Sequence, residues 1–367
     1  VHQLATDHDL TVFALRLPVS QSAYELLGAR VIPLGFGSTR RRGTPALWRA
    51  AVRAIADEHA RGPFDLLHAV QASEAGFVGA LAARRLRRPL AVHVGGGELV
   101  SLPQVGYGSQ RVAIERTQVA VALRSADLIT AGSRGLVVRC RQWVGPGRAE
   151  RVRWAPYGVD VVRFRPRRFP RHPTLLHVAD LNPVKDQATL LQAFAGVAAR
   201  LPDAELHLVG GGPELARLRR LERELGLGGR IRWWGQIPHS AIHWVFARAG
   251  ALAVSSLHEA QGIVLAEAAA AGLPIASTAV GMAADLPHEA VRLASPGDAT
   301  GLTQAMLAAL QSGAPRQRAR RAGRDAAVRL YDWPVCAHRW SSLYDGVATA
   351  PLRQTAGGGM LAPADGR

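Results

Sequence analysis

His258-Glu259-Ala260-Gln261-Gly262-Ile263-Val264-Leu265-Ala266-Glu267 lies between two segments of different character. Before it, residues 251–254 form a short apolar run of the kind that makes a buried strand. After it, an alanine block runs to Gly272, with Pro274 beyond, which is a helix stop signal. The stretch therefore reads as a strand-to-helix crossing, with helix over 262–271. A helix starting there points backbone N–H groups beyond the carboxyl edge of a sheet, an arrangement suited to a pyrophosphate. Glu259 stands just before that N-terminus and Glu267 eight residues later. In a continuous helix they would be roughly 12 Å apart, at about 1.5 Å per residue. A glycosidase carboxylate pair needs about 5 to 9.5 Å, so a hydrolase dyad is disfavoured. Two readings stay open from the residues alone: ordinary helix-face glutamates, or groups gripping two ends of an extended ligand.

Outward from this crossing, strand and helix patterns alternate. In the first half, strands at 10–15, 64–69, 90–94 and 128–131 interleave with helices at 48–60, 75–86, 113–123 and from 134. In the second, strands at 174–178, 205–209, 231–234, 251–254 and 274–277 interleave with helices at 187–200, 213–225 and 262–271. Such alternation builds parallel sheets flanked by helices. The stretch 154–171, rich in proline and arginine, separates the two series as a linker. Residues 351–367 are rich in glycine, alanine and proline and read as a disordered tail.

The 367 residues are 48% hydrophobic and 20% charged, a globular balance with room for two cores. No apolar run of 18 or more residues suggests a membrane span, and no secretory signal is recognised. Cys140 and Cys336 are far apart and suit a reducing compartment, so a cytoplasmic location is expected. No cysteine or histidine cluster has zinc spacing, and no metal is expected. The net charge of +17 is spread along the chain in short runs such as Arg40-Arg41-Arg42. Aromatic residues make up only 6%, and no stacking platform accompanies the charge, which argues against nucleic acid. Peripheral attraction to an anionic membrane, at its inner face, stays open. Of the 45 basic residues only Lys185 is a lysine, a place where a compact ammonium replaces a planar fork.

The spacing of Glu259 and Glu267, with Gly262-Ile263-Val264 between them, resembles the E-x7-E motif of glycosyltransferase family 4. Other segments fall in that family's order. Ala126-Asp127-Leu128-Ile129-Thr130-Ala131-Gly132-Ser133 resembles the strand closing its first domain. Pro156-Tyr157-Gly158-Val159-Asp160 with Phe164-Arg165-Pro166 resembles its linker. Leu176 to Lys185, Val209-Gly210-Gly211-Gly212-Pro213, and Ala271-Gly272-Leu273-Pro274 with Val280-Gly281 resemble its second-domain turns. Tyr331-Asp332-Trp333 to Tyr344 resembles the helices that return to the first domain. The resemblance implies a GT-B fold, two Rossmann-like domains facing a cleft. The expected division is 1–157 for the acceptor-side domain, 158–172 for the linker and 173–330 for the nucleotide-sugar domain. Residues 331–350 would be the closing helix and 351–367 the tail.

The activity implied is retaining transfer of a sugar from a nucleotide-diphosphate sugar, UDP- or GDP-linked, to an acceptor hydroxyl the sequence does not name. The alternative is a degenerate GT-B protein that binds nucleotide sugar or glycan without transfer. On the resemblance Glu259 contacts the donor sugar, Glu267 the ribose, and Lys185 the diphosphate, with backbone N–H groups at Gly262, Ile263 and Val264 holding oxygens. Gly281 belongs to the same cleft. No cofactor or metal is implied, because the lysine and the helix terminus can stabilise the leaving diphosphate.

Three positions depart from the family. Asp180 stands where an arginine is usual, Tyr157 where an asparagine is, and Gly95-Gly96-Gly97-Glu98 where H-G-x-D is common. Asp180 weakens a diphosphate site unless it points away. Glu98 and His93 become acceptor-side candidates, His93 equally a core histidine. Residues 1–6 read as a helix end, with no strand or glycine-rich loop before it. The first domain is therefore expected to lack its first, central strand and to be the less stable half.

Overall fold

Apolar runs and helical periods settle into two series of β–α units in the computed structural model, which describes residues 2–17, 23–35 and 45–349. The expected tail at 351–367 and the Arg40-Arg41-Arg42 run lie outside the described residues. The first series comprises β1 (Thr11–Ala14), β2 (Tyr24–Leu26), β3 (Ala29–Pro33), α1 (Pro45–Arg61), β4 (Leu67–Ala69), α2 (Glu74–Leu86) and β5 (Leu90–Val94). It continues through α3 (Ala113–Ser125), β6 (Leu128–Ala131), α4 (Arg134–Val144) and β7 (Val152–Trp154). The second comprises β8 (Thr174–Val178), α5 (Gln187–Ala198), β9 (Glu205–Val209), α6 (Leu215–Glu224), β10 (Ile231–Gly235) and α7 (His243–Phe246). After these come β11 (Ala251–Val254), α8 (Ile263–Ala270), β12 (Ile275–Thr278), β13 (Val291–Ala294) and α9 (Ala299–Ala309). Helices α10 (Ala314–Ala326) and α11 (Trp333–Ala348), joined by a π-helical turn, close the chain.

The second series forms one six-stranded parallel sheet in the order β10-β9-β8-β11-β12-β13. Strands β11 and β12 are buried along their whole length, which is why they are made of Ala, Leu, Val, Ile, Ser and Thr. The first series is divided among the described residues into a three-stranded sheet, β1-β3-β2, and a four-stranded parallel sheet, β4-β5-β6-β7. No described strand bridges β1 and β4. Residues 2–7 form turns, the Leu4 carbonyl accepting from Asp7 and His8, rather than the helix end expected there. Strands β2, β3, β7 and β13 and helices α7, α9 and α10 are additions to the expected elements. The three-stranded sheet's apolar partners, Phe13, Leu15 and Leu34, pack on a small core of Ala51, Ile55, Val78 and Ala82.

Helix α11 crosses back to the first series. Trp340 Nε1 donates to the Pro156 carbonyl at 3.2 Å, Tyr344 Oη meets His68 Nδ1 at 2.9 Å, and Ser341 Oγ meets His8 Nε2 at 2.8 Å. No described helix is long and apolar enough to cross a membrane.

The two halves bury very different cores, the second holding two extended clusters on either face of its sheet. Local opening free energy follows such burial. Amides of β8, β9, β11 and β12 should exchange slowest with deuterium and those of β1 to β3 faster, at least tenfold in rate. Equal protection in both sets, measured by mass spectrometry, would contradict this ranking.

Candidate active site

The site forms where β8 and β11 end side by side in the middle of the sheet. Parallel pairing of Leu175 with Ala251 and of Leu176 with Leu252 brings the loops after the two strands together. Leu257 N–H then donates to the Val184 carbonyl at 2.8 Å, and Ser255 Oγ to the Lys185 carbonyl at 2.8 Å. These bonds carry Lys185 to Glu259, 74 residues away in sequence, with Nζ 2.6 Å from Oε1. Ser256 Oγ donates to the same oxygen at 2.7 Å, and its own carbonyl is held by Thr278 Oγ1. The pair is largely buried, with 23% and 12% of the two side chains exposed, so water screens it only in part.

Lys185, Glu259 and Ser256 line a cavity of about 140 Å³ with His177, Gly262, Ile263 and Val264. Gly262 takes φ +78°, a left-handed turn that aims the first N–H groups of α8 into this space. Leu265 N–H is the first to find a carbonyl within the turn, that of Gly262. Gly281 closes the rim: a Cβ there would lie 2.8 Å from Glu259 Cβ and would collide with the Gln261 carbonyl. The helix begins at Ile263, so Glu259 lies on the preceding loop and the assumption of one continuous helix does not hold.

Glu267 sits within α8, 6% exposed, its Oε1 3.3 Å from His239 Nε2. Burial raises its pKa, opposed by the bond and charge of His239. Asp180 is exposed and does not line the cavity, whose wall passes from Ala179 to Lys185. Glu98 is buried and accepts from Ala72 N–H at 3.3 Å, Gly95 N–H at 3.1 Å and Gly96 N–H at 2.6 Å. It shapes the glycine loop after β5. His93 is 1% exposed, bonded to Thr130 Oγ1 at 3.0 Å and packed on the rings of Tyr157 and Trp340. The structure thus brings Lys185, Glu259, Gly262, Ile263 and Val264 to one cavity, sets Glu267 further along the same helix, and places His93 in the core.

Sequence reasoning missed the contacts that tie this loop to the first series. His258 Nε2–H donates to the Gly96 carbonyl at 3.2 Å, Ser133 Oγ donates to the Ala260 carbonyl at 2.7 Å, and Gln261 pairs with Tyr157. The signal available was the density of polar residues in a loop otherwise bounded by apolar runs.

Similarity to known proteins agrees with this architecture. Residues 1–158 match the Glycosyl transferase 4-like domain, and residues 160–326 match Glycosyl transferases group 1. A GDP-mannose-dependent alpha-(1-6)-phosphatidylinositol monomannoside mannosyltransferase of Mycolicibacterium smegmatis is 29% identical over 94% of this chain and 92% of that protein. The solved sucrose-phosphate synthase of Thermosynechococcus elongatus superposes with a TM-score of 0.77, at 24% identity, over 94% of this chain and 90% of its own. HepE of Anabaena, solved with UDP and glucose, has a TM-score of 0.70 at 21% identity over 87% and 86% of the two chains. Fold and site define a glycosyltransferase of the GT-B class. The chain belongs to the family-4 type of these transferases.

The buried histidines give the enzyme a pH signature. Burial lowers His68 and His177 to about 4 and His93 to about 3, against an ordinary 6.5. His177 Nδ1–H donates to the Ala253 carbonyl and His68 Nε2 has no partner, so both are held neutral. Below pH 6.5 the unfolded chain takes up protons that the folded chain refuses, so these groups withdraw stability as pH falls, until the folded values are reached. Each pH unit in that window costs about 1.4 kcal/mol per histidine. Buried Glu267 and half-buried Asp285, with raised pKa values, act in the opposite sense. The difference between wild type and His93→Gln therefore isolates the effect: between pH 7 and pH 5 the Tm of wild type should fall more steeply. Parallel curves would contradict it.

Proposed function

We propose that this enzyme transfers a hexosyl group, with retention, from a nucleotide-diphosphate sugar bound in the cavity at the N-terminus of α8. The observation carrying this reading is the Lys185–Glu259 contact of 2.6 Å at a helix N-terminus, a cation and an anion-ready main chain beside a carboxylate. The diphosphate is the leaving group, and charge grows on it as the anomeric bond breaks. The N–H groups of Gly262, Ile263 and Val264 are fixed donors for that charge, and Lys185 is a cation within reach of it. A diphosphate that draws Lys185 onto its oxygens frees Glu259 to accept from the donor sugar's hydroxyls. Glu267, further along the helix and beside His239, is assigned the ribose. The similarity to a GDP-mannose-dependent mannosyltransferase over nearly the full length makes GDP-mannose the first donor to test and a phosphoinositide glycolipid the first acceptor. A lipid acceptor also fits peripheral attraction of a +17 chain to an anionic membrane surface. The assignment of residues 1–157 to the acceptor, 158–172 to the linker and 173–330 to the donor belongs to the same reading.

A thermal-shift panel of UDP-, GDP- and ADP-sugars identifies the donor, with GDP-mannose expected to give the largest rise. Lys185→Ala should then weaken nucleoside diphosphate binding by about 1.5 to 3 kcal/mol, the value of a charge-assisted hydrogen bond, with little effect on the nucleoside. Undiminished GDP and UDP affinity in that variant would remove the assignment. Glu259→Ala should lower kcat more than nucleotide affinity, and Glu267→Ala should chiefly raise the nucleotide Kd. Normal kinetics in both would leave neither glutamate a part in donor binding.

A further inference from the structure

Gln261 is the polar residue of the donor loop to which the reading above gives no task, and the inference drawn from it rests on that reading. Its side chain is buried. Both ends of its amide meet the main chain of one residue: Tyr157 N–H donates to Oε1 at 2.8 Å, and Nε2–H donates to the Tyr157 carbonyl at 2.8 Å. A planar amide matched to a backbone in this way is fixed in distance and in direction. The space behind it is closed by the loop after β6, where a Cβ on Gly132 would collide with Oε1. The main chain of Gln261 is also engaged, its carbonyl accepting from Met282 N–H at 2.8 Å. One residue therefore joins the start of the linker, the loop after β6 and the loop after β12. Gly262, the next residue, and Glu259, two residues before Gln261, line the cavity.

Tyr157 lies where the first series hands over to the linker, just after β7, so any rotation of one half against the other moves Tyr157 relative to the donor loop. The amide pair couples the two movements. Two further contacts act in parallel: Ser133 Oγ on the Ala260 carbonyl, and His258 on the Gly96 carbonyl. Alternation along the loop separates the tasks, with His258, Ala260 and Gln261 facing the first half and the linker while Glu259 and Gly262 face the cavity. The phosphate-side groups, Lys185 and the α8 N-terminus, are held by second-half bonds that do not pass through Gln261.

We infer that Gln261 is a positioning residue: its paired amide locks the donor loop to the linker and so sets Glu259 against the donor sugar when the two halves face each other across the cleft. Loss of the amide should leave diphosphate binding nearly intact and lower turnover. A residue that serves only the fold would move stability and affinity together.

The test uses the full chain and whichever of the UDP-, GDP- or ADP-sugars wild type hydrolyses or transfers fastest. Gln261→Met keeps the bulk and removes both hydrogen bonds, and Gly132→Ala pushes the amide aside from the opposite wall. In each, the Kd of the matching nucleoside diphosphate, measured by calorimetry, should stay within about threefold of wild type. The kcat for nucleotide release should fall at least tenfold, with KM changed less than kcat. Unchanged kcat in Gln261→Met overturns the inference. So does a diphosphate affinity that falls in step with turnover, or failure of both variants to fold, since either outcome makes the amide a fastener of the fold. Lys185→Ala run alongside keeps the two readings apart: wild-type diphosphate affinity there sinks the donor site itself, whatever Gln261 does.

Discussion

Helix α8 has to be held at both ends, because apart from Glu267, which meets His239, its sides offer only apolar contact. Leu265 through Ala270 are all buried, and the alanines let the helix lie against β11, β12 and α10. A helix buried all round has no solvent to satisfy its last carbonyls. Arg324 of α10 supplies the missing donor, its Nη1 lying 2.7 Å from the Ala270 carbonyl, 2.8 Å from that of Val161 and 2.9 Å from that of Phe164. One guanidinium thus ends α8, pins the linker and anchors α10, at a desolvation cost that lowers its own pKa. A cation at the C-terminus complements the helix dipole there. The N-terminus at the opposite end is thereby left as the end that faces the cavity.

What the first half contributes follows from this geometry. The loop between β11 and α8 is long enough to have two faces, and the first half holds one of them. Ser133 illustrates the economy of the arrangement: its hydroxyl caps α4 by accepting from Leu136 N–H and donates to Ala260 in the donor loop. The α4 N-terminus also leans on the second half, Arg134 N–H donating to Asp285 Oδ2 at 2.8 Å. These contacts between the halves are polar and directional, and they stand beside apolar ones in which Ala260 packs in the first half's core and Trp154 against the second's.

The strands most legible in the sequence are those buried on both faces. Leu90–Val94, Leu128–Ala131, Thr174–Val178 and Ala251–Val254 coincide with the expected runs, because burial on both faces selects mostly apolar or small residues, His93 and His177 being the hydrogen-bonded exceptions. Three of the four strands that were not expected carry an arginine in a short segment, Arg30 in β3, Arg153 in β7 and Arg292 in β13, each exposed, and the fourth, β2, is only three residues long. Helix α10 was hidden by its charge, five arginines masking a sparse apolar stripe. At the site, the glutamates and the glycine turn were legible because they lie within one local crossing. The meeting of Lys185 with Glu259 depends on β8 and β11 being neighbours, which a linear order does not state. His93 was ambiguous for the same reason. The pattern of β5, buried at all five positions, pointed to the core, while its nearness to the glycine loop pointed to the cleft.

The nearly exclusive use of arginine explains why a single lysine matters. Many of the arginines act as planar plates and forks: Arg134 and Arg339 flank Trp154 at 4.7 and 4.3 Å, and Arg316 and Arg320 lie over Phe169 at 4.8 and 4.7 Å. In such places a delocalised, weakly hydrated cation stacks or spreads its donors over several acceptors. At position 185 the same fork would pair with the Glu259 carboxylate through two parallel bonds, a geometry that holds its partner. It would also fill a cavity of about 140 Å³. The ammonium makes one contact, at 2.6 Å to a single carboxylate oxygen that Ser256 also serves. Its remaining hydrogens are free to turn, and its point charge suits phosphate oxygens arriving from any side. On the proposed reading, an exchangeable pair is what the chemistry requires, since lysine must move to the diphosphate as the carboxylate is released to the sugar.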